Sequence, residues 1–177
     1  MQMRVLVVDD DCDIVSALQK RLTWMGHEVL TAEDGEQALK LAIEDQPDLM
    51  LLDIELPGLS GLDVLKRLTE RRSNVPPHVV PEVVVITAFG TIDRAVEAIR
   101  LGACDFLTKP FEPDHLSAVI EKARAQMALT RQIGLLQEEV LGRYEHVIGQ
   151  SPRMIELLDT ARRAAGASAT VLLLGET

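Results

Sequence analysis

A chain of 177 residues with 47% apolar side chains can build one domain with a full core and a smaller addition, and its three Phe, one Tyr and one Trp make that core aliphatic. The formal net charge of -10 excludes a nucleic-acid surface within these residues, because phosphate backbones are bound by clustered Lys and Arg, so any DNA contact belongs outside this chain. Cys12 and Cys104 lack metal-site or redox spacing and, without a signal peptide, point to a reducing cytoplasm, while no apolar run approaches the roughly 20 residues that span a bilayer.

Arg4 to Val8 is a continuous apolar run that ends in the triplet Asp9-Asp10-Asp11, the pattern of a buried strand delivering acids to its exit. Ile14, Ala17, Leu18, Arg21, Leu22 and Met25 then keep helical spacing, with Asp11 or Asp13 placed to cap the start and Gly26 the end. Val29 to Ala32 reads as a short strand, Gly35 as a turn, and Ala38, Leu41 and Ala42 as a second helix that Pro47 follows. Leu49 to Leu52, punctuated by Pro47 and by Pro57-Gly58, is a strand covered on both faces that delivers Asp53.

Leu62, Leu65 and Leu68 place a third helix between Ser60 and Leu68, and Glu70 to Pro81 reads as an extended, proline-rich surface loop. Val83 to Thr87 is a fourth strand. Ile92, Ala95, Val96 and Ile99 form a fourth helical face ended by Gly102, and Asp105 to Thr108 is a fifth strand closed by Lys109-Pro110. Five βα repeats in about 125 residues predict an α/β fold with a doubly wound, five-stranded parallel sheet of order 2-1-3-4-5, whose switch point lies between the first and third strands. From Asp114 the helical pattern outlasts the sheet, with Leu129, Ile133, Leu136 and Val140 suggesting a coiled-coil linker. The composition shifts at Gly142. Met154 to Ala165 then reads as a helix and Thr170 to Thr177 as a strand entering a glycine turn, the expected opening of a further domain.

The predicted sheet brings Asp9, Asp10 and Asp53 to one crevice, where three carboxylates need a counter-charge. A hard divalent cation, Mg2+, suits so shallow a cluster, and the Glu55 backbone carbonyl is placed to join it. Thr87 and Lys109 end the fourth and fifth strands and flank the acids with a hydroxyl and an ammonium, completing a phosphoryl site. His27, His78, His115 and His146 share no spacing and read as surface or packing residues.

Val7 to Asp11, Leu51 to Gly58, Ile86 to Gly90 and Asp105 to Phe111 resemble the signature blocks of two-component response-regulator receiver domains over about residues 3 to 125. Val147 to Met154 and Val171 to Thr177 resemble the start of the AAA+ domain of NtrC-like, sigma-54-dependent activators. The resemblance implies a receiver over 1–125, a helical linker over 126–143 and the opening of an AAA+ ATPase domain over 144–177. Gly175, Glu176 and Thr177 would start a Walker A loop, and since its Lys and Ser/Thr do not follow, no ATP hydrolysis is expected. It further implies that Asp53 accepts a phosphoryl group from a sensor histidine kinase, that Asp9, Asp10, Asp53 and the Glu55 carbonyl hold Mg2+, and that Thr87, Ala88 and Lys109 bind the phosphoryl group. Phe106 matches the aromatic switch position. The implied protein is cytoplasmic, forms a homodimer through the linker, and reaches sigma-54 RNA polymerase and DNA through domains outside this chain. Two rivals differ in chemistry: a haloacid-dehalogenase-type phosphatase, whose motif wants Asp where Glu55 stands, and a flavin-binding module, which wants a phosphate loop where Asp9 to Asp11 stand.

Overall fold

The computed structural model describes residues 2–72, 75, 79–88, 92–144, 151 and 160, with the side chains of Ile92 and of residues 131–144 left undescribed. Five strands, β1 (Arg4–Val8), β2 (Glu28–Ala32), β3 (Leu49–Asp53), β4 (Glu82–Ala88) and β5 (Asp105–Lys109), alternate with α1 (Cys12–Trp24), α2 (Gly35–Glu44), α3 (Gly61–Arg72), α4 (Ile92–Arg100) and α5 (Pro113–Tyr144). The sheet is wholly parallel in the order β2-β1-β3-β4-β5, as the sequence predicts.

Alternation along the strands makes two cores. Leu6, Val8, Met50, Leu52, Val83 and Val85 face one way, onto Ala38 and Ala42 of α2, Val64, Leu65 and Leu68 of α3 and Ala98 of α4. Val5, Val7, Leu49, Leu51, Val84, Ile86 and Leu107 face the other way, onto Leu18 and Leu22 of α1 and Leu116, Val119 and Ile120 of α5. Both faces are therefore dry, which is why the strands read as unbroken apolar runs rather than alternating ones. Each large aliphatic side chain so buried contributes about 1.5–3 kcal/mol.

Local signals set the helix starts. The Asp11 carboxylate accepts from the Asp13 and Ile14 amides at the head of α1. Asp34 accepts from the Gln37 amide at 2.8 Å while the Gln37 side chain accepts from the Glu33 amide at 2.9 Å, a reciprocal cap on α2. Gly35 is therefore the first residue of a helix, not the turn its composition suggests.

Three further elements depart from the sequence reading. Glu70, Arg71 and Arg72 continue α3 instead of opening a loop. Two basic residues in the last turn suit the negative end of the helix dipole, and an Arg72 Nη2 donates to the Pro81 carbonyl at 2.8 Å and pairs with Glu82 at 3.4 Å. The far end of that loop also turns inward, since Val80 is buried. Ser73, Asn74, Pro76, Pro77 and His78 lie outside the described residues. On α4 the buried face is Ala95 and Ala98, whereas Val96 and Ile99, predicted to pack inward, are exposed.

The backbone of α5 runs unbroken from Pro113 to Tyr144, through Gly134. The chain divides into a unit over Met1–Leu136 and a second over Gln137–Thr177. The side chains of Ile133, Leu136 and Val140, and the segments 145–150, 152–159 and 161–177 with Gly175, Glu176 and Thr177, lie outside the described residues. Among the described residues no helix is long and apolar enough to cross a membrane.

Candidate functional site

All five parallel strands end at the same edge, so the residues just past β1 and at the ends of β3, β4 and β5 converge. The Asp9 amide donates to the Ala32 carbonyl at 3.2 Å, extending the β1–β2 ladder by one residue and fixing the acid beside it. Asp53 closes β3 in register with Ile86, and the next amide, that of Ile54, donates to the Ile86 carbonyl at 3.0 Å. Gly61 opens α3 directly against this strand end: a Cβ there would collide with the Asp53 carbonyl oxygen and stand 2.9 Å from the Ile54 Cα. Only glycine lets α3 start so close to the acid.

Carboxylate oxygens of Asp9, Asp10 and Asp53 lie within 4.8 Å of one another. Asp9 is fully buried, Asp53 is 4% exposed, and Asp10 faces solvent. Lys109 reaches across from the end of β5, its ammonium 2.7 Å from Asp9 Oδ2 and 2.5 Å from Asp53 Oδ2. The remaining oxygens are held by main chain: the Asp11 amide donates to Asp9 Oδ1 at 3.0 Å and the Glu55 amide to Asp53 Oδ1 at 2.9 Å.

The electrostatics follow from burial. Desolvation pushes the Asp9 carboxyl above the ordinary aspartate range; the Lys109 ammonium and the Asp11 amide offset part of the rise, and the neighbouring Asp53 charge adds to it. Burial works against the Lys109 charge too, but hydrogen bonds to Asp53 and Asp9 outweigh it and lift the ammonium above the ordinary lysine value.

The donor set fits a hard divalent cation. Three carboxylates face one ammonium, so two formal negative charges remain. Asp9 Oδ2 is buried against the Lys109 ammonium at 2.7 Å, and a carboxylate oxygen has a second lone pair with which to coordinate an ion. Carboxylate oxygens at an open edge are the ligands such an ion takes.

The other predicted residues sit around this cluster. Thr87 is buried near the end of β4, opposite Thr108, and Ala88 lies in register with Lys109. Phe106 pairs with Val85 and is half-buried against the core that covers α2, α3 and α4. Phe89 and Gly90 lie outside the described residues. Of the histidines, His27 accepts from the Met3 amide at 3.3 Å on Nδ1, and burial lowers its pKa. Cys104 is half-buried, and its thiol is pushed up to about 12 by burial, an inert packing residue.

Sequence reasoning missed four contributors. The Asp11 and Glu55 amides bond the two key carboxylates, and nothing in side-chain identity announces a main-chain donor. Gly61 carried a signal, a glycine just inside a predicted helix start. Arg94, in α4, pairs with the Glu55 carboxylate at 3.2 Å, a contact between elements far apart in sequence.

The response regulator receiver domain family matches residues 5–121. The regulatory protein AtoC of Escherichia coli strain K12 is 30% identical over 176 residues, covering 98% of this chain and 37% of AtoC. The DNA-binding transcriptional regulator NtrC of the same strain is 34% identical over 173 residues, covering 98% of this chain and 35% of NtrC. The crystal structure of NtrX from Brucella abortus superposes with a TM-score of 0.69 at 36% identity, over 93% of this chain and 35% of that one. The chain thus spans little more than a third of the length of these relatives. By sequence match and fold alike, it belongs to the receiver-domain family of two-component response regulators, and the relatives it is similar to include NtrC.

Proposed function

We propose that this chain is a Mg2+-dependent phosphoacceptor and that Asp53 carries the phosphoryl group. The observation that supports this best is the single Lys109 ammonium held between the buried Asp9 and Asp53 carboxylates, at 2.7 and 2.5 Å. An ammonium so placed orients the nucleophile and stands ready to neutralise oxygens brought to it.

In this mechanism an Asp53 oxygen attacks the phosphorus of a phosphohistidine on a sensor kinase. The P–N bond breaks, the P–O bond of an acyl phosphate forms, and the imidazole departs with a proton. Asp9, Asp10, Asp53 and the Glu55 carbonyl would hold Mg2+, which when bound supplies Lewis-acid neutralisation of the phosphoryl oxygens. Lys109 and the Thr87 hydroxyl bind those oxygens, with the backbone at Ala88 beside them. The Thr87 side chain moves inward as it does so, and Phe106 fills the space released. The haloacid-dehalogenase alternative lacks its second aspartate, since Glu55 stands at that position.

The wider assembly belongs to the same proposal. Residues 1–125 act as the receiver, 126–143 as a helical linker that pairs two chains, and 144–177 as the opening of an AAA+ domain in a cytoplasmic, sigma-54-dependent regulator. Relatives whose printed names describe transcriptional regulators support this reading along the chain's whole length.

Intact mass after incubation with acetyl phosphate is the test. One phosphoryl adduct is expected in the presence of Mg2+, and none after chelation or in Asp53→Asn. An adduct that survives Asp53→Asn would place the acceptor elsewhere and sink the assignment.

A further inference from the structure

Glu55 is bound at two points. Its amide holds Asp53 Oδ1 at 2.9 Å, and its carboxylate pairs with Arg94 at 3.2 Å, in the first turn of α4. An exposed ion pair ordinarily contributes little, and both side chains here are about half exposed. Its surroundings give this one more weight. Among the described side chains of α4, only Ala95 and Ala98 are buried, while Val96 and Ile99 stand in solvent. Two methyl groups anchor the helix weakly compared with the leucines and valine of α3. Among the described contacts, a polar one at its first turn therefore adds to what seats it.

Resting on the phosphoacceptor reading, we propose that Arg94 is a positioning residue: through Glu55 it ties the seating of α4 to the loop that carries the metal-binding carbonyl and bonds Asp53. Coupling of this kind is reciprocal. Mg2+ held at the Glu55 backbone favours the seated α4, and the seated α4 favours Mg2+ by the same coupling factor.

The test combines Mg2+ titration by calorimetry with amide hydrogen exchange of α4, on the whole chain, for wild type, Arg94→Ala, Glu55→Gln and the double variant. Since exposed pairs couple by up to about 1 kcal/mol, Arg94→Ala is expected to weaken Mg2+ binding about two- to five-fold and to speed α4 exchange in metal-free protein by a similar factor. Glu55→Gln reproduces both effects, the double variant adds nothing further, and Arg94→Lys recovers part of each. Mg2+ slows α4 exchange in wild type and does so less in the variants. If α4 loosens in Arg94→Ala while Mg2+ affinity stays at the wild-type value, the contact is merely structural and the linkage is overturned. Additive effects in the double variant overturn it as well. A wild-type chain that binds no Mg2+ overturns the phosphoacceptor reading along with it.

Discussion

At the residue scale the site is a problem in charge placement, and Asp9 is its most exacting member. A carboxyl whose folded pKa is raised keeps its proton more firmly folded than unfolded. Linkage then has a definite sign: in metal-free protein the Asp9 contribution to stability falls as pH rises from the ordinary aspartate value of 3.8 through the raised folded value. Asp9→Asn is accordingly expected to melt higher than wild type at neutral pH without Mg2+, and to lose the gain in melting temperature that Mg2+ gives wild type. Protons compete for the same oxygen, so Mg2+ affinity measured against pH should begin to fall at a higher pH than an ordinary aspartate would impose. Lys109 has a dependence of the same sign in a far higher window, its stabilisation being complete below pH 10.5 and lost only as pH rises through its raised value. The acids and the lysine were legible in the sequence because each ends a strand, and strand ends can be counted. The amides of Asp11 and Glu55 were not, because every residue carries one and only the folded turn selects which is aimed.

At the scale of elements the strands were the most legible, β2 and β5 included although they are only partly buried. The strands β1, β3 and β4 were readable to within a residue or so because both their faces are dry. Leu51→Ala at the centre of β3 should cost about 2–5 kcal/mol, measured by urea unfolding. The helix α4 was misread because its face is built on alanines, whose small side chains give a weak periodic signal, while Val96 and Ile99 give a strong one and point outward. The start of α2 was misread because a glycine was taken as punctuation, although the Asp34 and Gln37 pair fixes it as a first helical residue. The end of α3 was misread because its last turn is held by Arg72 contacts to Pro81 and Glu82, which no local pattern contains. On α5, Leu129 is 56% exposed beyond the sheet-covering residues. Leu129→Arg is expected to convert a dimer to a monomer in sedimentation, with stability of the receiver fold within about 0.5 kcal/mol of wild type. A dimer that persists in that variant would remove Leu129 from the pairing surface.

For the molecule as a whole, parallel topology explains why so few residues suffice. Strands that all run one way discharge their chemistry at one edge, and the reversal of winding between β1 and β3 opens the crevice in which Asp9 and Asp53 meet. The collision that any Cβ at Gly61 would make with the Asp53 carbonyl has a mechanical meaning. It makes the path from the nucleophile into α3 stiff, with no slack between backbone and backbone, whereas among the described residues the contacts that seat α4 are one exposed ion pair and two buried alanines, a more compliant connection. A disturbance at Asp53 divides between unequal springs, and the displacement collects in the softer one.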